Sequence, residues 1–418
     1  LVLYKEIESC RVCKNQELDL ILELGTLPLT GVFPKTKSEE VPSGPLSLLK
    51  CRESNSKNAC GLVQLRESYN PKLMYGQNYG YRSGLNKSMV QHLHNKVKNI
   101  LGHVTLNSED IVVDIGSNDS TLLQAYPKKT LNLVGFDPTG VKFKKFYPDH
   151  ITLIADFFTS KSFKSIFGNK KAKVITSIAM FYDLEDPLSF AKEIYNSLDK
   201  DGLWHFEQSY MPNMIKNVSY DTICHEHLEY YSLKSVKYIL DKADFKIIDI
   251  QLNKVNGGSF ALTVAKKKSK KFDKSKLINW LLKKEETFNF NDIKTIKLFS
   301  EEVHKHKKLF KDLILNLNDM GKKVIGYGAS TKGNVILQFC NINNKLMPYI
   351  VDINPDKRNK YTPGTNIKII NDLDLKKKKF DYLVVLPWHF RDFIIEKEKN
   401  HLKKGKKLIF PLPDIEII

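Results

Sequence analysis

The sequence predicts an α/β protein of three domains, and three observations lead to that prediction. Its 418 residues exceed what one hydrophobic core normally organises, so two or three domains are expected. Four of its six cysteines lie within the first 60 residues, in a stretch rich in proline and glycine. From about residue 110 onward, apolar runs of strand length alternate with amphipathic segments. We place the domain limits at 1–70, 71–270 and 271–418.

The N-terminal domain is predicted to consist of short strands and turns, too small to be stable through apolar burial alone. Cys10 and Cys13 form a tight pair, and eight polar, turn-like residues separate Cys51 from Cys60. Clustered cysteines in a chain without a recognisable signal peptide indicate metal binding and not disulfides. Four thiolates satisfy tetrahedral zinc and leave no open position, so the site is predicted to be structural. The alternative is four unrelated buried cysteines.

The central domain is predicted to be a doubly wound, Rossmann-like sheet. Its first five strands are expected at 111–115, 132–137, 151–155, 174–181 and 203–207. A helix near 228–243 follows, and then two strands, 245–250 and 260–265. Their connection includes Asn256-Gly257-Gly258 and is too short for a crossover helix, so they should form an antiparallel hairpin. A sheet that ends in this way is typical of class I methyltransferases, whereas dinucleotide-dependent dehydrogenases continue in parallel.

The C-terminal domain is predicted to be a second Rossmann-like α/β unit. Residues 266–276 are rich in lysine and serine and suit a linker, and a long amphipathic helix then ends at Gly321. Its apolar face is formed by Ile293, Ile296, Phe299, Val303, Phe310, Leu313 and Leu317. Four strands are expected near 323–326, 349–352, 382–386 and 407–410.

The composition excludes some classes of protein. The formal net charge is +19, but the lysines are spread along the whole chain and no arginine-rich helix is present. We interpret this as a solvated surface and expect no nucleic-acid partner, with a zinc-ribbon nucleic-acid-binding protein as the alternative. No apolar run approaches the roughly 20 residues of a membrane span, and no signal peptide is recognisable. A cytoplasmic protein without a membrane partner is therefore expected.

A glycine-containing loop after the first central strand predicts a cofactor site. Gly116 would let the backbone approach a ligand, and Asp114 could accept hydrogen bonds from an ammonium group. Asn118 stands where a pyrophosphate loop would have its second glycine, and S-adenosylmethionine has no phosphate. About 20 residues on, Asp137 could hold a ribose diol, and Asp156 could bind the adenine amino group. Together these residues favour S-adenosylmethionine, with an NAD-dependent sugar oxidoreductase as the alternative.

A His-Glu-His run after the fifth strand predicts an acid–base group above the same edge of the sheet. Adjacent residues on a helix point apart, so His225, Glu226 and His227 are not expected to bind a metal. One imidazole could act as a general base, with its pKa and orientation set by the carboxylate. Spacing alone does not choose between the two histidines, and a polar helix start is an equally simple interpretation.

A loop in the C-terminal domain predicts a phosphate site. Backbone N–H groups after Tyr327, the hydroxyls of Ser330 and Thr331, and the Lys332 ammonium could hold a diphosphate. The spacing is not that of a P-loop. Two ligand-binding α/β units in one chain suit a two-substrate transferase, with the donor in the central domain and the acceptor held by the last.

These motifs belong to an ordered series that spans nearly the whole chain. The series comprises the N-terminal cysteines, 79–84, 112–119, 180–187, 224–232, 256–260, 326–333, 351–355 and 361–365. It resembles the sugar C-methyltransferases of deoxysugar biosynthesis, which methylate carbon 3 of nucleotide-linked 4-keto-6-deoxyhexoses. The resemblance implies a zinc-binding N-terminal domain, a central S-adenosylmethionine domain and a C-terminal domain that contributes to the sugar-nucleotide site.

The resemblance also implies roles for individual residues. The family's base is the final histidine of a Tyr-x-Glu-His motif, which corresponds to His227 with Glu226 beside it; Cys224 stands at the tyrosine position. An N-terminal tyrosine reaches the sugar, with Tyr79 the first choice and Tyr81 the second. His227 would remove the C3 proton, Tyr79 would stabilise the enolate, and the enolate would attack the methyl group in line. The expected partner is a dTDP- or GDP-linked keto sugar, bound by a monomer or weak dimer; O- or N-methyl transfer stays open.

Overall fold

A computed structural model describes residues 2–53, 59–75, 81–127 and 132–418. Within these ranges the strands form a four-stranded N-terminal sheet with a separate two-stranded pair, a seven-stranded central sheet and a six-stranded C-terminal sheet. None of the helices in the described part of the chain is long and apolar enough to cross a membrane.

The N-terminal region is more extended than predicted. Its strands are β1 (Tyr4–Glu6), β2 (Leu18–Pro28), β3 (Ser43–Cys51), β4 (Val63–Leu65) and β5 (Glu67–Tyr69). The expectation of short strands is wrong for β2 and β3, which have 11 and 9 residues and pair antiparallel. Leu22 of β2 and Leu48 of β3 share one apolar core with Ile296 and Phe310 of the C-terminal region. The N-terminal strands are therefore stabilised by burial against the rest of the chain.

The central region contains the predicted doubly wound sheet. After α1 (Pro71–Met74) and α2 (Lys87–His103), the parallel strands are β6 (Ile111–Ile115), β7 (Asn132–Phe136), β8 (Ile151–Ile154), β9 (Ala172–Ile178) and β10 (Leu198–Ser209). The helices between and after them are α3 (Gly140–Phe143), α4 (Ser160–Phe167), α5 (Pro187–Ser197) and α6 (Met211–Lys216). The fourth predicted strand ends early, because residues 181–183 form a 3-10 turn.

The segment after α6 departs from the prediction. The helix expected at 228–243 begins only at Leu233, as α7 (Leu233–Lys242), because the preceding residues form β11 (Glu229–Tyr230). This strand pairs antiparallel with β4, so it extends the N-terminal sheet in the order β11-β4-β3-β2. The residues that follow the His-Glu-His run are thus built into the N-terminal sheet.

The antiparallel hairpin is confirmed. Strands β12 (Phe245–Asn253) and β13 (Ser259–Lys266) pair antiparallel, and β13 also pairs antiparallel with β10. The sheet order is β12-β13-β10-β9-β6-β7-β8. Strands β7 and β8 are added on one side of β6, whereas β9 and β10 are added on the other side. The strand order therefore reverses between β6 and β9, and open α/β sheets bind ligands at such a point.

The C-terminal region is a second α/β unit. It consists of α8 (Leu277–Thr287), α9 (Ile293–Asp319), β14 (Val324–Tyr327), α10 (Thr331–Phe339), β15 (Tyr349–Val351), β16 (Lys368–Ile370), α11 (Asp372–Leu375), β17 (Tyr382–Val385), α12 (Arg391–Leu402), β18 (Lys407–Phe410) and β19 (Glu416–Ile417). The predicted apolar face of α9 is buried, except that Ile293 and Leu313 are partly exposed. Strands β16 and β19 were not predicted.

Candidate active site

A cavity of about 560 Å³ lies at the carboxyl ends of β6, β7, β9 and β10. Residues from all three regions line it, including Gly31 of the N-terminal region, Met180 just after β9 and Thr331 at the start of α10. A concave, largely preformed site at the point where the strand order reverses is the usual place for small ligands in this architecture. The cavity is therefore the candidate active site.

The glycine-containing loop forms one wall of this cavity. Gly116 has φ +74°, and a Cβ there would lie 3.2 Å from Met180 Cγ, so glycine keeps the wall open. The next turn is fixed by Asp137, whose Oδ2 accepts a hydrogen bond from Asn118 N at 2.7 Å. Its Oδ1 accepts from the backbone N–H of Thr139 at 2.6 Å. The loop is thus held in place by the carboxylate predicted to bind ribose.

The other two carboxylates that were predicted to bind S-adenosylmethionine also face the cavity. Asp114 Oδ1 accepts a hydrogen bond from Thr176 Oγ1 at 2.6 Å, and burial raises the pKa of Asp114 to about 7. Asp156 Oδ1 accepts from Phe157 N at 2.7 Å. The carboxylates of Asp114 and Asp137 are buried, and that of Asp156 is exposed. An open glycine wall with these carboxylates around it fits S-adenosylmethionine, which presents an ammonium group, a ribose diol and an adenine amino group as hydrogen-bond donors. The cavity brings together all five residues predicted to bind the donor: Asp114, Gly116, Asn118, Asp137 and Asp156.

The His-Glu-His run forms a tight turn, so the alternative of a helix start is wrong. His227 N donates to Cys224 O at 3.1 Å, which folds the chain back on itself. His227 Nδ1 lies 2.8 Å from Thr222 O, and its ring packs on Tyr182 with centroids 4.3 Å apart. A carbonyl can only accept, so Nδ1 carries the hydrogen and Nε2 keeps its lone pair. Burial, with a contribution from Lys332, lowers the pKa of His227 to about 3, so the imidazole is neutral.

The two histidines of the run have different surroundings. His227 lines the cavity, whereas His225 is not among the described residues that do. His225 Nε2 lies 3.1 Å from Leu27 O, and its ring packs edge-on against Tyr69 at 4.8 Å. Burial lowers its pKa to about 4. The turn therefore brings His227 to the cavity and packs His225 against the N-terminal sheet.

Glu226 is the carboxylate of the turn that faces the cavity. Its side chain accepts no hydrogen bond from the described residues, and its Oε1 lies directly against Gly31. Burial raises the pKa of Glu226 to about 7, although Lys357 opposes the shift. Asp183 lies nearby; burial raises its pKa well above the usual value, and the charge of Glu226 adds to the rise. Close to neutral pH, the Glu226 carboxyl in this corner of the cavity can therefore be either protonated or charged.

The C-terminal loop forms another part of the cavity wall. Ser330, Thr331 and Lys332 line the cavity at the start of α10, where Ser330 Oγ caps the helix by accepting from Gly333 N at 3.0 Å. Lys332 Nζ donates to Asn256 O at 3.1 Å, and burial lowers the pKa of Lys332. Helix N-termini of this kind bind anions readily.

The three tyrosines that were predicted to contact the sugar nucleotide differ in their position relative to the cavity. Tyr327 is not among the described lining residues; its hydroxyl instead accepts from Lys397 Nζ at 2.6 Å. Tyr81 does line the cavity. Tyr79 lies outside the described residues.

The four N-terminal cysteines converge as predicted. The Sγ atoms of Cys10 and Cys60 are 3.5 Å apart, as are those of Cys13 and Cys51, and all four lie within 4.8 Å of one another. Tetrahedral zinc with Zn–S distances of about 2.3 Å requires sulfur–sulfur distances of about 3.8 Å. Hydrogen bonding with Cys10 and the other two thiols, together with burial, raises the pKa of Cys60, and a bound cation would favour its thiolate form. The cluster fits a structural zinc ion without an open position.

A buried arginine connects this cluster to the turn. Arg11 donates to the backbone carbonyl of Glu67 at 3.1 Å and to Ser68 Oγ at 2.8 Å. Its Nε lies 3.8 Å from Glu229 Oε1, and both side chains are almost fully buried. Glu229 is two residues from His227 and belongs to β11. The cysteine cluster and the turn are therefore parts of one packed unit.

Three family models match successive parts of the chain. Residues 10–75 match a zinc binding domain, 89–250 a methyltransferase domain, and 254–413 a C-methyltransferase C-terminal domain. Together the three matches identify the chain as a C-methyltransferase. It is similar to C-methyltransferase NovU of Streptomyces niveus, with 26% identity over 420 residues that cover 99% of this chain and 97% of that one.

Solved structures also match the chain. One is an S-adenosylmethionine-dependent methyltransferase from Clostridium acetobutylicum, with 13% identity, 42% of this chain and 91% of that chain covered, and a TM-score of 0.33. Another is the plantazolicin methyltransferase BpumL in complex with SAH, with 12% identity, 42% and 82% covered, and a TM-score of 0.33.

The matches to the domain models and to NovU confirm the coarse predictions. The fold class, the methyltransferase activity, S-adenosylmethionine as donor and the zinc-binding N-terminal domain are confirmed. The roles of individual residues in this C-methyltransferase, and the domain limits, remain predictions.

Several cavity residues of this C-methyltransferase were missed at the level of sequence. Tyr182 and Asp183 lie within the 180–187 motif, so the motif itself was the available signal. Glu207 lies at the end of β10, where His92 Nε2 and Lys96 Nζ each approach it to 2.5 Å; burial opposes ionisation, but these partners lower the pKa of Glu207 to about 2. His389 also lines the cavity, and its Nδ1 has no hydrogen-bond partner among the described residues.

Proposed function

We propose that this enzyme methylates carbon 3 of a nucleotide-linked 4-keto-6-deoxyhexose, carried by dTDP or GDP, through an enolate that His227 generates. The observation that carries the proposal is the His227 imidazole, which lines the cavity and directs its Nδ1–H to Thr222 O, so that Nε2 keeps its lone pair. The family resemblance supports the sugar as the acceptor.

The chemistry requires a base because a carbon beside a ketone becomes nucleophilic only after it loses its proton. His227 Nε2 would take the C3 proton, while the bond from Nδ1 to Thr222 O holds the ring and its tautomer. Burial keeps the pKa of His227 low, so the imidazolium that forms needs a negative charge nearby. The carboxylate of Glu226, whose oxygen lies within 4.8 Å of a ring nitrogen of His227, would supply that charge.

The two substrates would occupy different parts of the cavity. S-adenosylmethionine supplies the methyl group, and Asp114, Asp137 and Asp156 in the 71–270 domain would hold its polar groups. The diphosphate would lie at the start of α10, where Ser330, Thr331 and Lys332 would bind it within the 271–418 domain. Tyr79, or Tyr81, would contact the sugar. With both ligands held, in-line attack of the enolate on the methyl group depends mainly on positioning.

The test follows the C3 proton without methyl transfer. Each dTDP- or GDP-linked 4-keto sugar is incubated in deuterated water with the enzyme and an inert analogue of S-adenosylmethionine. Deuterium at C3 is then measured by NMR. His227→Asn should slow exchange by a factor of about 10²–10⁴, the usual contribution of a positioned base. His225→Asn is the matched control and should keep the exchange.

Two results would contradict the proposal. If His225→Asn abolishes exchange and His227→Asn does not, the base is wrongly assigned. If wild-type enzyme exchanges C3 in none of the dTDP- and GDP-linked 4-keto sugars, the substrate class is wrong.

A further inference from the structure

The turn that carries His227 also brings two other metal-binding side chains together. The Sγ of Cys224, a carboxylate oxygen of Glu226 and a ring nitrogen of His227 all lie within 4.8 Å of one another. The sequence did not suggest this, because neighbouring residues on a helix point apart. The bond from His227 N to Cys224 O forms a turn in place of a helix, so the expectation that adjacent side chains point apart does not apply here.

We propose that Cys224, Glu226 and His227 form a second metal site, which binds a thiophilic divalent cation such as Zn²⁺ and stops proton abstraction when it is occupied. A thiolate, a carboxylate and an imidazole are the three ligand types that zinc takes in open sites, where a fourth position is left for water. The cysteine cluster at the N-terminus is closed and structural, so the two sites differ in kind.

The surroundings suit metal binding in two ways. His227 directs Nδ1–H to Thr222 O, and a backbone carbonyl behind the ring is the usual partner of a metal-bound histidine, with Nε2 as the ligand. The Glu226 carboxylate accepts no hydrogen bond from the described residues, so coordination would not break an existing bond.

The local charge also permits a dication. Lys332 is close enough to oppose a cation, since it contributes to lowering the pKa of His227. Asp221, which is buried beside Lys332, offsets that ammonium charge. On binding, the Cys224 thiol gives its proton to solvent, and thiolate and carboxylate together neutralise the metal. Burial and the nearby Glu226 raise the pKa of Cys224, and the cation removes that obstacle.

Occupancy would be inhibitory because the metal and the C3 proton need the same lone pair, that of His227 Nε2. This inhibition rests on the proposed function, whereas the binding itself does not. The metal site is expected only in chains that have a cysteine at the position of Cys224, since a tyrosine hydroxyl is a poorer ligand for soft cations.

The experiment separates binding from activity. Protein that carries one zinc ion per chain, held by the N-terminal cysteine cluster, is titrated with Co²⁺, and the thiolate-to-cobalt charge-transfer absorbance and the bound cobalt per chain are measured. The wild-type protein should bind one further equivalent of cobalt and should show the thiolate-to-cobalt absorbance. Cys224→Ala should lack that equivalent and its band, although its N-terminal cluster is intact. Cys340→Ala removes the other buried cysteine outside the cluster and should behave like wild type.

A Cys224→Ala variant with the same band and stoichiometry as wild type would overturn the site, as would a wild-type protein that takes up no further cobalt. In parallel, Zn²⁺ should abolish C3 exchange by wild type at one added equivalent. Binding without loss of exchange would overturn the inhibitory role alone. If wild type shows no exchange even without added metal, the proposed function has failed, and the cobalt titration still decides the metal site.

Discussion

Gly31 offers a sharp test of how closely Glu226 must be positioned. A Cβ at residue 31 would lie 2.4 Å from Glu226 Oε1, whereas ordinary van der Waals contact begins near 3.4 Å. The carboxylate would therefore have to move by about 1 Å. The φ angle of Gly31 is not in the left-handed region, so alanine is compatible with the backbone. A misplacement of about 1 Å can cost a factor of about 10², and we expect Gly31→Ala to lower turnover by that order.

The assay is methyl transfer from labelled S-adenosylmethionine under saturating conditions, together with C3 exchange and calorimetric donor binding. Donor affinity should be unchanged, because Gly31 contacts the turn and not the Gly116 loop. Gly102→Ala is the matched control: residue 102 lies in α2, and a Cβ there meets no atom within 4 Å. Thermal unfolding of both variants checks the fold. A Gly31→Ala enzyme with wild-type turnover would refute the reasoning, because Glu226 would then act without a fixed position.

Three further predictions concern the cavity. Asp137→Ala should weaken S-adenosylmethionine binding by about 1–3 kcal/mol, the range for a lost hydrogen bond to a buried partner, and calorimetry should find sugar-nucleotide binding almost unchanged. Lys332→Ala should raise KM for the sugar nucleotide and leave donor affinity alone; the opposite pattern would assign this loop to the donor. Because burial raises the pKa of Glu226 to about 7, its carboxyl becomes charged as the pH rises through 7, so wild-type C3 exchange should rise between about pH 6 and 8. Glu226→Gln should be slow and show no such rise, and a flat wild-type profile would contradict the role.

The strands and the Gly116 loop could be predicted because the sequence patterns that indicate them lie within short segments of the chain. The limits predicted for the strand at 111–115 agree with the structure, and the hairpin followed from a short connection with Gly257 and Gly258. Residues predicted to bind the methyl donor, such as Asp137, could be found because they lie at the carboxyl ends of predicted strands. In a parallel sheet these ends lie on one edge.

The acid–base part of the site could be predicted only in outline. The difference between His225 and His227 depends on packing against Leu27 and Tyr69, which are distant in sequence. Gly31 reaches the cavity for the same reason, since nothing near it in the sequence indicates a contact with Glu226. The turn could be mistaken for a helix start because β11 pairs with a strand more than 160 residues away.

The position of β11 has a consequence for protein engineering. Leu228 N donates to Tyr182 O of the central region, and Leu228 O accepts from Leu65 N of the N-terminal region. The residue beside the proposed base is therefore clamped between two parts of the chain. A truncated protein limited to the central region would keep the Gly116 loop and the bond from Leu228 to Tyr182, but it would lose the bond from Leu65 to Leu228. Chimaeras that exchange the N-terminal region between relatives would need to carry the segment around β11 with it, as a single transferable piece.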